Sequence, residues 1–250
     1  MSTGNHGWSL VAPTIYRLDV ADVNCYLVVT SDGMTLIDAG LPGTTRVLEE
    51  LLLHLGARVS DIDAVVLTHG HFDHVGMARQ FQTRRTPILV HAGDEPLARH
   101  PYRYAHESSR LPYLFRPRAL PIIARMTKNG ALAVKGVQAQ PHVRDGEVVD
   151  VPGRPLALWT PGHTAGHCGF FFEDQGVLVS GDAIVTLDPY TGATGPRIVA
   201  NAATADSAAA LRSIGVFEST DARTVLPGHG EPWEDGIRTA VAAARRAGKS

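Results

Sequence analysis

Residues 68–74 read Thr-His-Gly-His-Phe-Asp-His and hold four potential metal ligands within six positions, namely His69, His71, Asp73 and His74. The stretch begins at the end of the apolar run Ala64–Thr68, which predicts a buried strand that opens into a loop. Neutral imidazole and carboxylate groups suit zinc and similar divalent cations. Chance would produce this pattern in about two of every thousand chains of this composition. We therefore expect a metal site at the end of this strand.

Three further ligand candidates stand beside glycine, just beyond other apolar runs that predict strands. Glycine lets the backbone turn sharply and approach a site closely. We expect these side chains to complete the site, because residues 69–74 alone cannot enclose two metal ions. The runs and their candidates are Leu156–Thr160 with His163, Val177–Ser180 with Asp182, and Thr224–Leu226 with His229.

The remaining pattern mixes strands and helices, with hairpins as well as strand-to-helix steps. Further strands are predicted at Tyr26–Thr30, Met34–Asp38, Ile88–Val90 and Gly169–Glu173. Helices are predicted at Thr44–Leu55, Val75–Gln82, Ala205–Phe217 and Glu234–Ala247. This order indicates an α/β (α+β) fold in which helices cover the outer faces of sheets. Nothing marks a boundary, so residues 1–250 are expected to form a single domain.

The combined pattern resembles the metallo-β-lactamase superfamily. The resemblance extends from Asp38, in Leu36-Ile37-Asp38-Ala39-Gly40, to His229, and so covers nearly the whole chain. It implies a four-layer αββα sandwich with a binuclear metal site on one edge. It also implies that the chain binds two zinc ions, with iron or manganese as other metals that such a site accepts.

The resemblance assigns each candidate a role, residue by residue. His69, His71 and His163 would hold the first metal, and Asp73, His74 and His229 would hold the second. Asp182 would bridge both metals, and Asp38 would support the ligands from behind.

This ligand set predicts a hydrolase. Metal binding can lower the pKa of a water molecule to about 7, and two ions can share the resulting hydroxide. A metal-bridging hydroxide would attack the carbonyl of a small ester, lactone or thioester, and Asp73 would orient it as the catalytic residue. The chain contains no G-x-S-x-G, P-loop or G-x-G-x-x-G motif that would indicate another chemistry.

Two other functions stay open at this point. A mononuclear-iron oxygenase resembling the persulfide dioxygenases of the same superfamily would use His69, His163 and Asp182 and leave the other candidates idle. A non-catalytic protein would keep the metals for stability alone. Lactonases of the superfamily share the full ligand set, but their site tyrosine lies three residues after the bridging aspartate, where this chain has Val185.

Two residues near the ligands carry their own expectations. His167 is expected to support the ligands rather than to bind metal, because the coordination set is already complete without it. Tyr190, eight residues after Asp182, is a candidate contact for the oxyanion of a bound substrate.

Residues 95–136 are expected to form a helical insertion. Within it, residues 99–128 carry a net charge of +6 and several aromatic residues, and Pro112, Pro117 and Pro121 exclude one continuous helix. The segment is interpreted as a solvated face, as a lid that favours an anionic substrate, or as a surface that binds a second copy of the chain or an anionic partner. Its basic residues are Arg99, Arg103, Arg110, Arg116, Arg118, Arg125 and Lys128.

Composition and charge disfavour several other classes of protein. The 250 residues carry a formal charge of −2, which disfavours a nucleic-acid binder, and no run is apolar enough to span a membrane. The first ten residues lack the features of a secretory signal, and the two cysteines suit a reducing compartment. We therefore expect a cytoplasmic enzyme that acts on a small molecule.

Overall fold

The computed structural model describes residues 6–109 and 111–250. Its larger sheet has seven strands that lie side by side in chain order. The first four strands pair antiparallel, and the pairs from the fourth to the seventh are parallel. These strands are β1 (Trp8–Ala12), β2 (Ile15–Val20), β3 (Val23–Thr30), β4 (Gly33–Ile37), β5 (Ile62–Val66), β6 (Ile88–His91) and β7 (Gln140–Val143).

The second half of the chain forms a four-stranded sheet and a short two-stranded ribbon. The four-stranded sheet contains β8 (Leu156–Trp159), β9 (Cys168–Phe172) and β10 (Val177–Gly181). The ribbon pairs β11 (Val185–Leu187) with β12 (Thr194–Arg197), and β13 (Thr224–Pro227) then joins the sheet. Because β13 lies parallel to β10, both strands end at the same edge of the sheet.

Six α-helices accompany these sheets in the described residues. They are α1 (Thr44–His54), α2 (Ala78–Thr83), α3 (Glu95–Arg99), α4 (Leu120–Lys128), α5 (Ser207–Ser213) and α6 (Ile237–Ala247). None of the helices in the described part of the chain is long and apolar enough to cross a bilayer.

Three hydrophobic cores stack the elements into four layers. Leu27 of β3 packs in a core with α1, whereas its neighbour Val28 packs in a core with Phe170 of β9. Because successive side chains of a strand point to opposite faces, the larger sheet is buried on both sides, and this explains its nearly continuous apolar runs. The outer face of the second sheet, including Phe171, packs against α6. The predicted αββα sandwich is confirmed.

The boundaries of three predicted helices differ from the structure. The helix expected from Val75 begins at Ala78. The helix expected over Ala205–Phe217 divides into α5 and a 3₁₀ segment, Ile214–Thr220. The helix expected from Glu234 begins at Ile237, because Gly236 adopts a φ of 81°, which a right-handed helix does not contain.

The predicted insertion is helical, with α3, a 3₁₀ turn at Leu111–Phe115 and α4. Pro121 lies in the first turn of α4, where a missing backbone N–H costs no helical hydrogen bond. Arg110 lies outside the described residues, and the other basic residues of the segment are exposed on the surface.

Candidate metal centre

The candidate ligands converge at the edge where the two sheets meet. His69, His71, Asp73 and His74 lie in the loop that follows β5, and His163 follows β8. Asp182 follows β10, and His229 follows β13. All seven side chains are buried. Both sheets therefore contribute candidate metal ligands to the same edge of the molecule.

The candidate metal-ligand atoms form three overlapping groups, and the atoms of each group lie within 4.8 Å of one another. They are His69 with His71 and His163, His69 with His74 and Asp182, and Asp73 with His74 and His229. Every ligand candidate predicted from the sequence belongs to at least one group. The structure thus brings together all seven residues.

Gly228 permits the approach of the loop that carries His229. A Cβ atom at this position would lie 2.1 Å from Oδ1 of Asp182 and 2.9 Å from the ring of His74. Any other residue would therefore push into the donor cluster. Gly228 thus allows the close approach that the sequence suggested for a glycine beside a ligand candidate.

Hydrogen bonds at the rear fix the rings of His74 and His69. Nδ1 of His74 donates to Oδ2 of Asp38 over 2.9 Å. The same carboxylate accepts the hydroxyl of Thr68, and the Thr68 oxygen lies 3.0 Å from Nδ1 of His69. Because that hydroxyl already donates to Asp38, Nδ1 of His69 must be the donor to Thr68. In both rings Nε2 is therefore the nitrogen that faces the cluster and can bind a metal.

His163 and His229 are oriented in the same way. Nδ1 of His163 lies 3.4 Å from the Thr204 hydroxyl, which itself donates to the carbonyl of Val199. Nδ1 of His229 donates to the backbone carbonyl of Asp22 over 2.8 Å. Such outer partners set the tautomer of metal-binding histidines.

Several inward-facing atoms in the described part of the chain have no hydrogen-bond partner. They include Nε2 of His69, Nε2 of His74 and Oδ1 of Asp182, all of which are buried. A buried polar atom without a partner costs free energy, and native proteins rarely tolerate several such atoms together. Bound divalent cations would satisfy these lone pairs, so the residues present fit a metal centre. The mixed imidazole and carboxylate set suits zinc, and imidazole also suits iron.

The electrostatics of the cluster also favour added positive charge. Burial lowers the pKa of His69 and His71 well below the ordinary value and lowers that of His163 to about 4. Burial acts in the same direction on His229, but the carboxylates of Asp182 and Asp73 prevail and raise its pKa to about 10. Burial would raise the pKa of Asp182, yet the rings of His229 and His74 hold it well below the ordinary value. In the metal-free protein, the positive charges of protonated His74 and His229 thus balance the negative charges of the carboxylates.

A comparison with known families decides where this chain belongs. The profile described as the metallo-beta-lactamase superfamily matches residues 18–229. The chain belongs to that superfamily.

Individual relatives agree with the family. The chain is 29% identical over 246 residues to the probable metallo-hydrolase YflN of Bacillus subtilis, across 88% of this chain and 85% of that protein. It is 27% identical over 187 residues to an N-acyl homoserine lactonase of Bacillus thuringiensis, across 66% of this chain and 62% of the lactonase. The crystal structure of the metallo-beta-lactamase family protein TTHA1429 of Thermus thermophilus superposes with a TM-score of 0.68 at 27% identity, covering 93% of this chain and 78% of the other. This superfamily member is a metal-dependent hydrolase.

His167 lies beside the candidate metal ligands, but neither of its ring nitrogens is free to bind a metal. Its Nε2 accepts the backbone N–H of Asp182 over 3.0 Å, and its Nδ1 lies 2.8 Å from the Thr160 hydroxyl. Because Nε2 is an acceptor, Nδ1 carries the proton and donates to Thr160. Both ring nitrogens are therefore engaged in holding the backbone that presents Asp182.

Asp94 is a positioning residue that the sequence did not indicate. Its buried carboxylate accepts the backbone N–H of Gly70 over 2.8 Å and that of Gly166 over 2.7 Å. It also accepts the hydroxyl of Thr164 over 2.8 Å. These bonds join the loop of His69 and His71 to the loop of His163. No sequence signal could reveal this role, because two of the three donors are backbone groups.

Two cavities flank the centre of this superfamily member, and Tyr104 lines both. The ring of Tyr104 lies 4.1 Å from the ring of His71, measured between centroids. The Tyr104 hydroxyl lies 3.2 Å from that of Tyr190. Tyr190, the predicted substrate contact, lines one cavity together with Asp73. Tyr104 is the residue that sequence reasoning missed here, because only the path of the insertion brings it to His71.

Proposed function

We propose that this chain is a binuclear zinc hydrolase that cleaves a small ester, lactone or thioester. The observation that supports this proposal is the convergence of buried, unpartnered donor atoms on His69, His74 and Asp182. The donors come from both sheets and carry rear hydrogen bonds that orient them. This is the preorganisation that a catalytic metal site needs.

The proposed ligand sets follow the donor groups. His69, His71 and His163 would hold one ion, and Asp73, His74 and His229 would hold the other. Asp182 would serve both. Its Oδ2 atom lies 3.5 Å from Nε2 of His163 and 3.4 Å from Nε2 of His229, while its Oδ1 atom lies 3.5 Å from Nε2 of His74.

The reaction joins the oxygen of a water molecule to the carbonyl carbon and breaks the bond from that carbon to the leaving oxygen or sulfur, which takes up one proton of that water. Bound zinc ions supply Lewis acidity that polarises the carbonyl and makes the water more acidic. Asp73, whose Oδ2 atom lies 3.5 Å from Nε2 of His229, would accept a hydrogen bond from the water and orient it. Tyr190 is the proposed hydrogen-bond donor to the substrate oxygen as negative charge develops.

Two observations favour this proposal over a mononuclear-iron oxygenase. The second group, Asp73, His74 and His229, is as buried as the first, and Asp38 orients His74 within it. An oxygenase with one iron would have no use for that group. The similarity to the lactonase, over two thirds of this chain, supports lactones as one substrate class to test.

The decisive experiment combines metal analysis with an activity screen. We expect about two zinc ions per chain and turnover of at least one ester, lactone or thioester. His71→Ala should lose metal and activity, whereas His142→Ala, at an exposed position, should keep both. About one iron per chain with oxygen uptake would favour the oxygenase. Full metal content without turnover of any activated ester or lactone would favour a non-catalytic protein.

The other expectations from the sequence stay predictions. They are a cytoplasmic location, a single domain over residues 1–250, homodimer formation, and no binding to nucleic acid.

A further inference from the structure

An apolar cavity of about 230 Å³ opens beside Asp73. One wall is made by Phe72, from the ligand loop, and by Tyr190. The insertion adds Tyr102, Tyr113, Ile123 and Met126 to the lining, where Tyr102 stacks on Phe72 and Tyr113 lies edge-on to Tyr190. The cavity therefore combines a residue of the metal centre with side chains that only the insertion provides.

Among the residues that the structure describes, the lining of this cavity contains no basic side chain, and Asp73 is its only charged group. The described basic residues of the insertion are exposed, and Arg125 is engaged with Asp22 at the surface. An anionic group would lose its hydration here without gaining a cationic partner from the described lining, whereas an apolar group would gain free energy on burial.

The cavity lies directly beside the candidate metal ligands. Its lining includes Asp73 itself and Tyr104, whose ring packs on His71. A substrate whose carbonyl faces the donor cluster can therefore extend a substituent directly into the cavity.

The cavity on the other side of Tyr104 has a different character. It measures about 340 Å³, and its lining includes Arg103, His100, His163 and Thr164. Tyr104 thus separates an apolar space from one that offers a cation and several polar atoms.

We propose that the substrate carries an uncharged apolar arm that occupies the cavity between Phe72 and Ile123. At about 30 Å³ for each group the size of a water molecule, the cavity accommodates about seven heavy atoms. The substrate class is thus a neutral ester, lactone or thioester with a short alkyl or aryl substituent. This inference rests on the proposed function and specifies the substrate of that site.

A series of γ-lactones with unbranched alkyl substituents tests whether an apolar arm of the substrate occupies the cavity. The value of kcat/KM should rise about fourfold for each added methylene, and the rise should stop when the cavity is full. An equal value along the series would overturn the proposal while leaving the hydrolase in place. So would a preference for carboxylate-bearing lactones that Arg103→Ala abolishes, because the arm would then lie in the other cavity.

A matched pair of variants on α4 tests whether the dependence of kcat/KM on chain length arises in this cavity. Ile123→Trp fills the cavity and should abolish the gain with chain length. Leu120→Trp adds the same group on the exposed side of the helix, outside the lining, and should keep the gain. An unchanged length dependence in folded Ile123→Trp would overturn the assignment.

A binding measurement separates this inference from the proposed function. Calorimetry with the metal-loaded protein and linear alcohols from ethanol to 1-octanol should show affinity that grows with chain length, and Ile123→Trp should remove that growth. If alcohols bind in this way but no ester, lactone or thioester is cleaved, the cavity assignment stands and the proposed function fails. If lactones are cleaved but neither rate nor alcohol affinity depends on length, the cavity assignment fails alone.

Discussion

Oδ2 of Asp38 accepts a hydrogen bond from Nδ1 of His74 over 2.9 Å, entirely inside the protein. The other oxygen of the carboxylate accepts the backbone N–H of Thr68. One side chain at the end of β4 therefore fixes both a ring and the start of the ligand loop.

Asp38→Asn should lower zinc affinity about 10- to 100-fold, because the neutral amide orients His74 less firmly and makes its Nε2 less basic. Asparagine is the suitable replacement, since Asp38 has a φ of 59° and asparagine tolerates that left-handed conformation. Competition with a chromophoric chelator measures the change. Asp32→Asn, which removes one charge from an exposed turn, is the control and should bind zinc normally. Unchanged affinity in Asp38→Asn would contradict this role.

Asp94→Ala should destabilise the protein by about 3 kcal/mol, because two buried backbone N–H groups and one hydroxyl lose their acceptor. Urea denaturation of the metal-free protein measures this loss. Zinc affinity should also fall, because the loops of His71 and His163 are no longer joined. Glu95→Gln, at the adjacent position, disturbs only a surface pair with Arg99 and is the control. A loss of stability with unchanged zinc affinity would restrict Asp94 to a structural role.

Zinc uptake by the metal-free protein should release protons below about pH 10. Asp182 and Asp73 raise the pKa of His229 to about 10, and Asp38 and Asp182 raise that of His74 well above its ordinary value, although burial opposes both shifts. Zinc binds neutral imidazole, so both protons must leave. Affinity should therefore rise with pH, about tenfold per unit for each proton displaced, until the free rings have lost their protons. Calorimetry in buffers of different ionisation enthalpy counts the protons, and heats that do not depend on the buffer would refute the expectation.

Both cysteines should resist thiol reagents in the folded protein. Cys25 and Cys168 have no exposed surface, and burial raises the pKa of each thiol well above its ordinary value. A disulfide reagent should label neither thiol under native conditions and both after denaturation. Rapid labelling of one thiol in the native state would show that its core opens locally.

The convergence of the candidate ligands was the most predictable feature of the molecule, because ligand chemistry restricts residue type and because strand ends were recognisable beside the candidates. His163, Asp182 and His229 each follow an apolar run and a glycine, and these local signals sufficed to select them. The layers were predictable for a related reason, since the runs in β3, β4 and β5 have the apolar character of strands buried on two faces.

The missed elements lacked such signals. β2 contains Arg17, which is buried because it pairs with Asp19 and Glu231, so a charge interrupts the apolar pattern. Strands β11 and β12 are only three and four residues long, and β12 contains Gly195 and Pro196. Strands β1 and β7 are partly exposed along their length, so hydrophobicity alone did not mark them.

The contact between Tyr104 and His71 has an evolutionary consequence. Residues 95–109 and 111–136 supply none of the grouped candidate ligand atoms, yet they form a large part of the walls of the two cavities beside them. A lineage could therefore exchange this one contiguous stretch, by insertion or recombination, and acquire a new selectivity while the cation-binding loops stayed intact. Engineers could graft alternative segments between Asp94 and β7 for the same reason.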